Sequence, residues 1–321
     1  MVDPNALQFL TQLTHLTYDL SLQRRQMDVE RHRAQELATP RYANPKRLVR
    51  HGFKVYSQSD EDGIIQEIFN RIGATNCTFI EFGVETGIEC NSVKLLVEGW
   101  SGLWIEASAP YAAEIQNCFG SFVANGKLVI SQNMVTAENI NALFEHAGVT
   151  GEIDLLSIDI DYNDYWIWKA ITAVSPRVVV IEYNATLRPP MSLVVPYDPA
   201  CRWDGTNYFG ASLEALVRLG RDKGYRVVGC NYTGANAFFV RNDVAGDRFL
   251  DPATSEEHYE PPRYFYAMQS AGHRARPGPY VRVRSRHRDG RRGHRAGVHS
   301  RPASRRSWFG WRQTPARSLP R

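Results

Sequence analysis

One short segment constrains the fold more than any other: an apolar run that ends in an acid and is followed by two spaced glycines. The run is Thr78–Phe82 with Glu81 inside it, and Gly83 and Gly87 lie between it and the amphipathic stretch that begins near Asn91. A short apolar run bounded by glycines predicts a buried strand and a tight turn into a helix. Glycine also lets the backbone pass close to a ligand where a Cβ would clash. The segment therefore predicts the first strand–turn–helix unit of an α/β sheet.

A second predicted strand, Gly102–Glu106, also ends in an acid. In nucleotide-binding α/β units, an acid at the tip of the second strand binds the ribose hydroxyls. The dinucleotide-binding fingerprint requires a glycine where Glu85 stands, which disfavours an NAD-linked dehydrogenase. An ordinary strand–turn–helix with no ligand is the alternative interpretation.

Strands and helices alternate through the middle of the chain. The remaining strand predictions cover residues 128–131, 153–158, 177–182, 226–230 and 237–241. The helix predictions cover residues 64–72, 92–98, 111–118, 137–145, a stretch after 164, and 212–223. Alternation of this kind predicts a parallel sheet with helices on both faces, while the short link before the last strand permits only an antiparallel hairpin. The expected fold class is α/β, a doubly wound, mostly parallel seven-stranded sheet with an antiparallel terminal hairpin.

Composition divides the 321 residues into three predicted parts: a helical extension over 1–51, the α/β body over 52–272, and a tail over 273–321. The tail contains fifteen Arg, no Lys, and Asp289 as its one acid. Removing it leaves 23 basic and 33 acidic residues, so the net charge of +4 belongs to the tail and the body is acidic. An acidic body disfavours specific nucleic-acid binding.

The tail has too few apolar residues to fold alone and is predicted to be disordered. Its arginines, with Trp308, Phe309 and Trp311, are able to contact an anionic surface. The alternative is a solvated extension without a function.

A long helix is predicted over residues 5–38, because leucines recur at steps of three and four. They are Leu7, Leu10, Leu13, Leu16 and Leu20. One interpretation is a helix packed on the side of the body. The other is a dimerisation helix that gives a homo-oligomer.

The cysteines indicate a reducing compartment. Five cysteines are scattered along the chain without a CxxC pair, which is typical of reduced thiols in a cytoplasmic protein. No apolar run of membrane-spanning length and no signal peptide is visible, so we expect a cytoplasmic location.

Acids and amides follow the fourth and fifth predicted strands. Asp159 and Asp161 end the fourth strand, and Glu182 and Asn184 end the fifth. Parallel strand tips meet at one edge of a sheet, and carboxylate and amide oxygens are ligands for hard cations such as Mg²⁺. The alternative is that these residues cap helices and pair with basic side chains, and we favour that role for Asp164.

The chain resembles the FkbM-type S-adenosylmethionine (SAM)-dependent methyltransferases, in a bacterial subfamily. The resemblance covers about residues 52–242 and rests on Tyr56-Ser57-Gln58-Ser59-Asp60-Glu61-Asp62-Gly63, Phe79–Gly83, Trp104–Glu106, Ser157–Tyr165 and Val180–Asn184. It implies a class I methyltransferase fold. It also implies O-methylation of a hydroxyl on a sugar, glycolipid or related secondary metabolite, so the expected partner is a small-molecule or saccharide acceptor.

The resemblance also implies a cofactor site for SAM. Its residues are Tyr56, Gln58, Glu81, Gly83, Gly87, Glu106, Gln132 and Asn133. Glu81 and the glycines would surround the methionine part and Glu106 would bind the ribose. Gln132 or Asn133 would lie near the adenine, and Tyr56 and Gln58 near the carboxylate of SAM or the substrate.

Two mechanisms follow for the acceptor hydroxyl. A divalent ion, Mg²⁺ for preference, held by Asp159, Glu182 and Asn184 would lower the pKa of that hydroxyl. Without metal, Asp159 or Asp161 would act as general base.

The loop 187–207 is long enough to be a lid, with Trp203, Asp204 and the neighbouring Tyr208 touching the acceptor. A cluster of Tyr162, Tyr165, Trp166 and Trp168 forms either a sugar-binding wall or core packing. The alternative function is a catalytically inactive scaffold of the same fold in a biosynthetic assembly.

Overall fold

The computed structural model describes residues 4–264 and 272–284. The tail residues Trp308, Phe309 and Trp311 lie outside this part of the chain. Within it, no helix combines the length and apolar character that crossing a membrane requires.

The strands of the main sheet have nearly the predicted bounds. They are β1 (Thr78–Phe82), β2 (Ser101–Ile105), β3 (Leu128–Ser131), β4 (Gly151–Ile158), β5 (Val174–Glu182), β7 (Tyr225–Cys230) and β8 (Asn236–Arg241). Two further strands, β6 (Leu193–Val194) and β9 (Val281–Arg282), form a separate small sheet. β1 and β3 match their predicted bounds, and the others differ by one to three residues at their starts or ends.

Helices connect the strands. They are α1 (Pro4–Leu37), α2 (Glu61–Ile72), α3 (Val93–Val97), α4 (Ala109–Ala124), α5 (Ile140–His146), α6 (Asp164–Ala170), α7 (Leu213–Asp222), α8 (Asn242–Ala245) and α9 (Ser255–His258). Side-chain caps set three of the starts: the hydroxyls of Ser108, Ser212 and Thr254 accept from the amides of Tyr111, Ala215 and Glu257, respectively.

The strand order confirms the predicted fold class. The main sheet runs β3-β2-β1-β4-β5-β8-β7, with parallel pairs from β3 through β5 and antiparallel pairing of β8 with both neighbours. This is a doubly wound, mostly parallel α/β sheet that ends in an antiparallel hairpin. The chain order reverses between β1 and β4, and ligands of such sheets bind at that switch point, beyond the carboxyl ends of the strands.

Two apolar layers cover the sheet, one on each face. Along β1, Ile80 and Phe82 belong to one buried cluster, whereas Phe79 belongs to the other. Along β2, Leu103 and Ile105 alternate with Trp104 in the same way. Because strand side chains alternate between faces, this pattern means that both faces are buried. The carboxyl edge is therefore the place where polar strand ends can meet a ligand.

α1 is joined to the body through its C-terminal end. Arg33 donates to the Asp60 carboxylate at 3.0 Å, and Glu36 accepts from the Tyr232 hydroxyl. The predicted leucine stripe does not pack on the body: Leu10, Leu13, Leu16 and Leu20 are all exposed. α1 therefore contacts the body through its C-terminal end and not through these four leucines.

Residues 272–284, assigned mostly to the tail from composition, lie against the segment between β5 and α7. β9 pairs antiparallel with β6, and the ring of Tyr280 lies 5.1 Å from that of Tyr208. Arg276 forms an ion pair with Asp204. The ordered body thus extends beyond the boundary that the arginine content suggests.

Candidate functional site

A cavity of about 430 Å³ lies at the carboxyl edge of the sheet, at the switch point between β1 and β4. Its volume is in the range of small-molecule and cofactor pockets. It is lined by Gln58, Glu81, Gly83, Val84, Glu85, Thr86, Glu89, Cys90, Asn91, Ile105, Glu106, Ala107, Tyr111, Asn133, Met134, Val135, Asp159, Ile160, Asp161, Asn163, Pro199, Cys201, Arg202, Trp203 and Asn236. The lining brings most of the predicted cofactor residues together with the two predicted catalytic acids.

The β1 loop is held in an unusual backbone conformation. Gly83, Glu85 and Gly87 all have left-handed φ angles, of 79°, 47° and 81°. A Cβ on Gly83 would lie 1.5 Å from the carbonyl oxygen of Asp159. Glycine is therefore required at position 83 so that the end of β1 can pack closely on the end of β4. Its role is not limited to letting a ligand approach the backbone. A Cβ on Gly87 would lie 2.8 Å from the Trp104 ring, and Gly87 is not among the lining residues.

Glu81 is buried at the end of β1, and its oxygens are already used by the protein. One oxygen accepts from the Asn91 amide at 2.9 Å and the Ser157 hydroxyl at 3.0 Å. The other accepts from the amide and hydroxyl of Ser92. Burial raises the pKa of Glu81, while these donors favour its charged form. Glu81 lines the cavity, but its main effect is to position the start of α3.

Glu106 lies at the corresponding place after β2, and its carboxylate can accept further hydrogen bonds. Its oxygens accept from the Glu85 amide at 2.9 Å and the Ser108 amide at 2.7 Å. Each carboxylate oxygen can accept a second hydrogen bond. The carboxylate therefore holds the left-handed Glu85 in place and can still accept from a ligand hydroxyl.

The other predicted cofactor residues divide into two groups. Gln58 and Asn133 line the cavity, whereas Tyr56 and Gln132 are not among its lining residues. The Tyr56 amide donates to Asp62 at 2.7 Å, which shapes the segment that carries Gln58. Asn133 is the better candidate for the position near the adenine.

Three carboxylates crowd together beside this cavity. Asp159, Asp161 and Glu182, called the acidic triad below, offer oxygens that all lie within 4.8 Å of one another. Burial, and then the neighbouring acids, raise the pKa of Asp159 and of Glu182. Burial and Glu85 raise the pKa of Asp161, which adopts a left-handed φ of 63°. This arrangement is suited to a cation or to a shared proton.

Asn184 is not available as a metal ligand, which corrects the predicted set. Its side-chain amide donates to the carbonyls of Asn207 at 2.9 Å and Phe209 at 3.0 Å. Its oxygen accepts from the backbone and side chain of Thr186. All polar atoms of this buried side chain therefore hold the loop after β5 in place.

Asn236 was missed by the sequence analysis and lies where Asn184 was expected to act. It stands directly opposite Glu182 in the β5–β8 ladder, is 4% exposed, and lines the cavity. Its amide donates to Glu61 at 3.1 Å, which identifies Oδ1 as the free acceptor. Asn236 Oδ1 and Glu182 Oε2 are both buried without a hydrogen-bond partner among the described residues. The antiparallel register of the hairpin was the signal that could have identified it.

Asp164 does not cap α6 as predicted: it is the first residue of the helix, after Asn163 at the N-cap position, and no side-chain cap is formed. Its Oδ1 accepts from the Ile160 amide at 2.9 Å, which fixes the turn between β4 and α6. Burial raises the pKa of Asp164 to about 7.

The segment between β5 and α7 forms part of the wall of the cavity. Pro199, Cys201, Arg202 and Trp203 line it, and Arg202 is the one basic residue in the lining that the structure describes. The Trp203 indole donates to the Thr206 carbonyl at 2.7 Å. Trp203 therefore fits the predicted acceptor contact.

Two other predicted acceptor contacts are engaged elsewhere. Asp204 accepts from Thr206 and pairs with Arg276, and the Tyr208 hydroxyl donates to the Pro279 carbonyl at 2.6 Å. In the aromatic cluster, Tyr165 and Trp168 are buried in the core. Core packing is the role that the structure supports for them.

The comparisons with known proteins find structural neighbours. No family model and no curated protein matches this chain. A SAM-dependent methyltransferase from Clostridium acetobutylicum is similar at 12% identity and a TM-score of 0.35, over 55% of this chain and 89% of the other. An O-methyltransferase family protein from Burkholderia thailandensis is similar at 15% identity and a TM-score of 0.35, over 56% of this chain and 58% of the other.

A third neighbour is the N-terminal domain of EvdMO1 with S-adenosylhomocysteine (SAH) bound. It is similar at 14% identity and a TM-score of 0.37, over 69% of this chain and 94% of the other. At these identities and TM-scores, none of the neighbours indicates which reaction this chain catalyses. The case for a reaction rests on the residues that line the cavity of this chain.

Because β1 approaches β4 closely at Gly83, we predict that replacing Gly83 with alanine destabilises the protein more than replacing Gly148 does. Gly148 has a left-handed φ of 72° and open space around the position of a Cβ, whereas a Cβ on Gly83 meets the Asp159 carbonyl. We expect Gly148→Ala to lower the free energy of unfolding by about 1 kcal/mol, from backbone strain alone. Gly83→Ala should lower it by about 3 kcal/mol or more, because the overlap adds to the strain. Urea denaturation measures both, and equal losses would contradict the assigned contact.

The acidic triad predicts a pH-dependent gain in stability on removing one charge. The folded pKa of Glu182 is raised above its unfolded value of about 4.3. A carboxyl group whose pKa is higher in the folded than in the unfolded protein contributes stability at pH values below its unfolded pKa. That contribution is lost as the pH rises through the folded pKa. Glu182→Gln should therefore increase the free energy of unfolding at pH 8, by on the order of 1 kcal/mol, and change it little at pH 4.5.

Urea denaturation in the presence of a chelator measures this effect. Glu145→Gln, at an exposed position of α5, is the matched control and should change stability little at either pH. A Glu182→Gln variant that is less stable than the parent at pH 8 would show that the charge has a stabilising partner.

Proposed function

We propose that the protein is a SAM-dependent methyltransferase. The observation that carries the proposal is the joint placement of Glu106 and the left-handed β1 loop in one cavity at the switch point of the sheet. In α/β sheets of this kind, a carboxylate after the second strand binds the ribose hydroxyls of a nucleoside cofactor. The cavity offers acceptor groups where a nucleoside with a methionine side chain requires them.

The proposed orientation of SAM follows from the lining. Glu106 would accept from the ribose hydroxyls, and Asn133 and Met134, which line the cavity after β3, would lie near the adenine. Glu85 of the β1 loop and Gln58 line the cavity where the methionine part would lie. This orientation directs the methyl group toward the acidic triad, where β4 and β5 end.

The proposed reaction is O-methylation of a sugar, glycolipid or related secondary metabolite. The acceptor oxygen attacks the methyl carbon, the carbon–sulfur bond breaks, and SAH leaves. The hydroxyl proton passes to a carboxylate, for which Asp161 at the cavity surface is the preferred base and Asp159 the second. Trp203 provides an apolar face against which an acceptor ring packs. The enzyme's principal task is alignment of the acceptor oxygen with the methyl carbon.

The residues present fit a divalent cation near the acceptor oxygen. Asp159 and Glu182 would supply carboxylate oxygens, and Asn236, which stands opposite Glu182 with its Oδ1 unpartnered, would supply the neutral oxygen in place of Asn184. Glu182 Oε2 and Asn236 Oδ1, two of the buried oxygens without a hydrogen-bond partner among the described residues, are the observation that favours a cation here over a purely structural acid cluster. A hard ion such as Mg²⁺ would supply the lowering of the acceptor hydroxyl's pKa.

The alternative function is an inactive scaffold of the same fold. In a scaffold, nothing would require both a ribose-binding carboxylate and unpaired buried oxygens beside it. Binding of SAM separates the two functions.

Loss of the Glu106 carboxylate should weaken SAM binding specifically. Glu106→Ala removes two charge-assisted hydrogen bonds to the ribose, each worth on the order of 1.5–3 kcal/mol at most. Isothermal titration calorimetry with SAM measures the change, and Glu106→Gln, which keeps the shape, should be intermediate. Glu114→Ala, at an exposed position of α4, is the control and should bind as the parent does. If Glu106→Ala binds SAM with the same affinity as the parent, the assignment of Glu106 to the ribose is wrong. If the parent does not bind SAM, the proposed function is wrong.

The cation proposal predicts direct metal binding that does not depend on turnover. Electron paramagnetic resonance of Mn²⁺ should show one bound ion per chain, lost in Asp159→Asn and kept in Glu145→Gln. SAM affinity should persist in EDTA, because the ribose contact does not involve the ion. Undiminished Mn²⁺ binding by Asp159→Asn would contradict the site and leave Asp159 and Asp161 as plain acid–base groups.

A further inference from the structure

α1 carries an apolar stripe that nothing described in the structure covers. Phe9, Leu13, Leu16, Leu20 and Met27, called the apolar stripe below, are each between 47% and 63% exposed. A helix in water is stabilised mainly by burying an apolar face, so a helix of 34 residues that leaves this face in solvent lacks its main stabilising interaction.

The contacts of α1 with its own body use another face. Arg33 donates to Asp60 and to the Gly52 carbonyl, and Glu36 pairs with Arg263. At 3.6 residues per turn, Arg33 and Glu36 point away from the side on which Leu13 and Leu20 lie. Docking of α1 on the body therefore leaves the apolar stripe free for another chain.

The spacing of the stripe is that of a coiled coil. Leu13, Leu20 and Met27 follow one another at seven-residue steps, and Phe9 and Leu16 stand at the second core position of the heptad. We propose that the apolar stripe pairs with the same stripe of a second copy of this chain, in a parallel two-stranded coiled coil.

Charge favours a second copy in parallel orientation. With Leu13 and Leu20 at position a of the heptad, Asp19 falls at g and Arg24 at the next e. A parallel pair places each Asp19 beside Arg24 of the partner subunit, which gives two attractive contacts by symmetry.

The distribution of charged residues along α1 also disfavours a lipid surface as the partner of the apolar stripe. Asp19 is the one Asp, Glu, Lys or Arg within residues 5–23. Helices that lie on anionic membranes carry Lys and Arg along their polar face, and this segment has none.

Light scattering of the full chain tests the proposal. The parent should have twice the monomer mass of 36.4 kDa at micromolar concentration. Leu13→Glu/Leu20→Glu places charges in the seam and should give a monomer. Thr14→Glu/Ser21→Glu adds the same charges one residue further along, outside the seam, and should remain dimeric. Because the stripe does not touch the body, the melting temperature of the body should be the same in both variants.

A charge exchange tests the orientation. Asp19→Arg should raise the dimer dissociation constant at least tenfold, because it faces Arg24 of the partner subunit. Asp19→Arg/Arg24→Asp should restore the parent value. A monomeric parent, or a dimer that survives Leu13→Glu/Leu20→Glu, would overturn the proposed interface. Failure of the double exchange to restore dimerisation would overturn the parallel register.

Discussion

Negative charge held at the carboxyl edge of the sheet is the constraint on which the rest of the site depends. The strand tips carry acids of two kinds. Glu81 and Asp164 accept hydrogen bonds from backbone amides of the loops around them, so these two side chains hold those loops in place. In the part of the chain that the structure describes, Oε2 of Glu182 in the acidic triad and Oδ1 of Asn236 opposite it are both buried without partners. Burial of an unpaired carboxylate is unfavourable, and burial accordingly raises the pKa of Glu182 and favours its protonated form.

The same edge shows how packing creates the cavity. The β1 tip can approach the β4 tip because Gly83 lacks a side chain, and this approach brings the β1 loop beside Asp159. Glu85 is then held in a left-handed conformation by its hydrogen bond to Glu106. Backbone strain of this kind persists only where surrounding structure enforces it and is concentrated at functional sites. The Glu106 side of the cavity and the acidic triad thus meet at the β1 loop, which is the geometry that the proposed transfer between a cofactor and an acceptor would require.

Most of the fold and part of the site could be predicted from the sequence, for reasons that are local. Apolar runs followed by Glu81, Glu106 and Asp159 identify strands and their carboxyl ends, and alternation with helices determines a parallel sheet. The exchange of Asn184 for Asn236 could not be predicted in this way. It depends on the loop after β5 folding back onto Asn184 and on the register of the terminal hairpin. The pairing of β9 with β6 was not predicted, because an arginine-rich composition indicates disorder. Tyr280 and Val281 nevertheless form the contacts that hold this segment against the body.

The central claim is that one cavity holds the nucleoside at Glu106 and directs the sulfur toward the acidic triad. A crystal structure of the full chain with SAH tests it most directly. The account predicts SAH in this cavity, with both ribose hydroxyls within hydrogen-bond distance of the Glu106 carboxylate and the sulfur on the side of Asp159. A ligand bound elsewhere, or in this cavity with its ribose away from Glu106, would contradict the account.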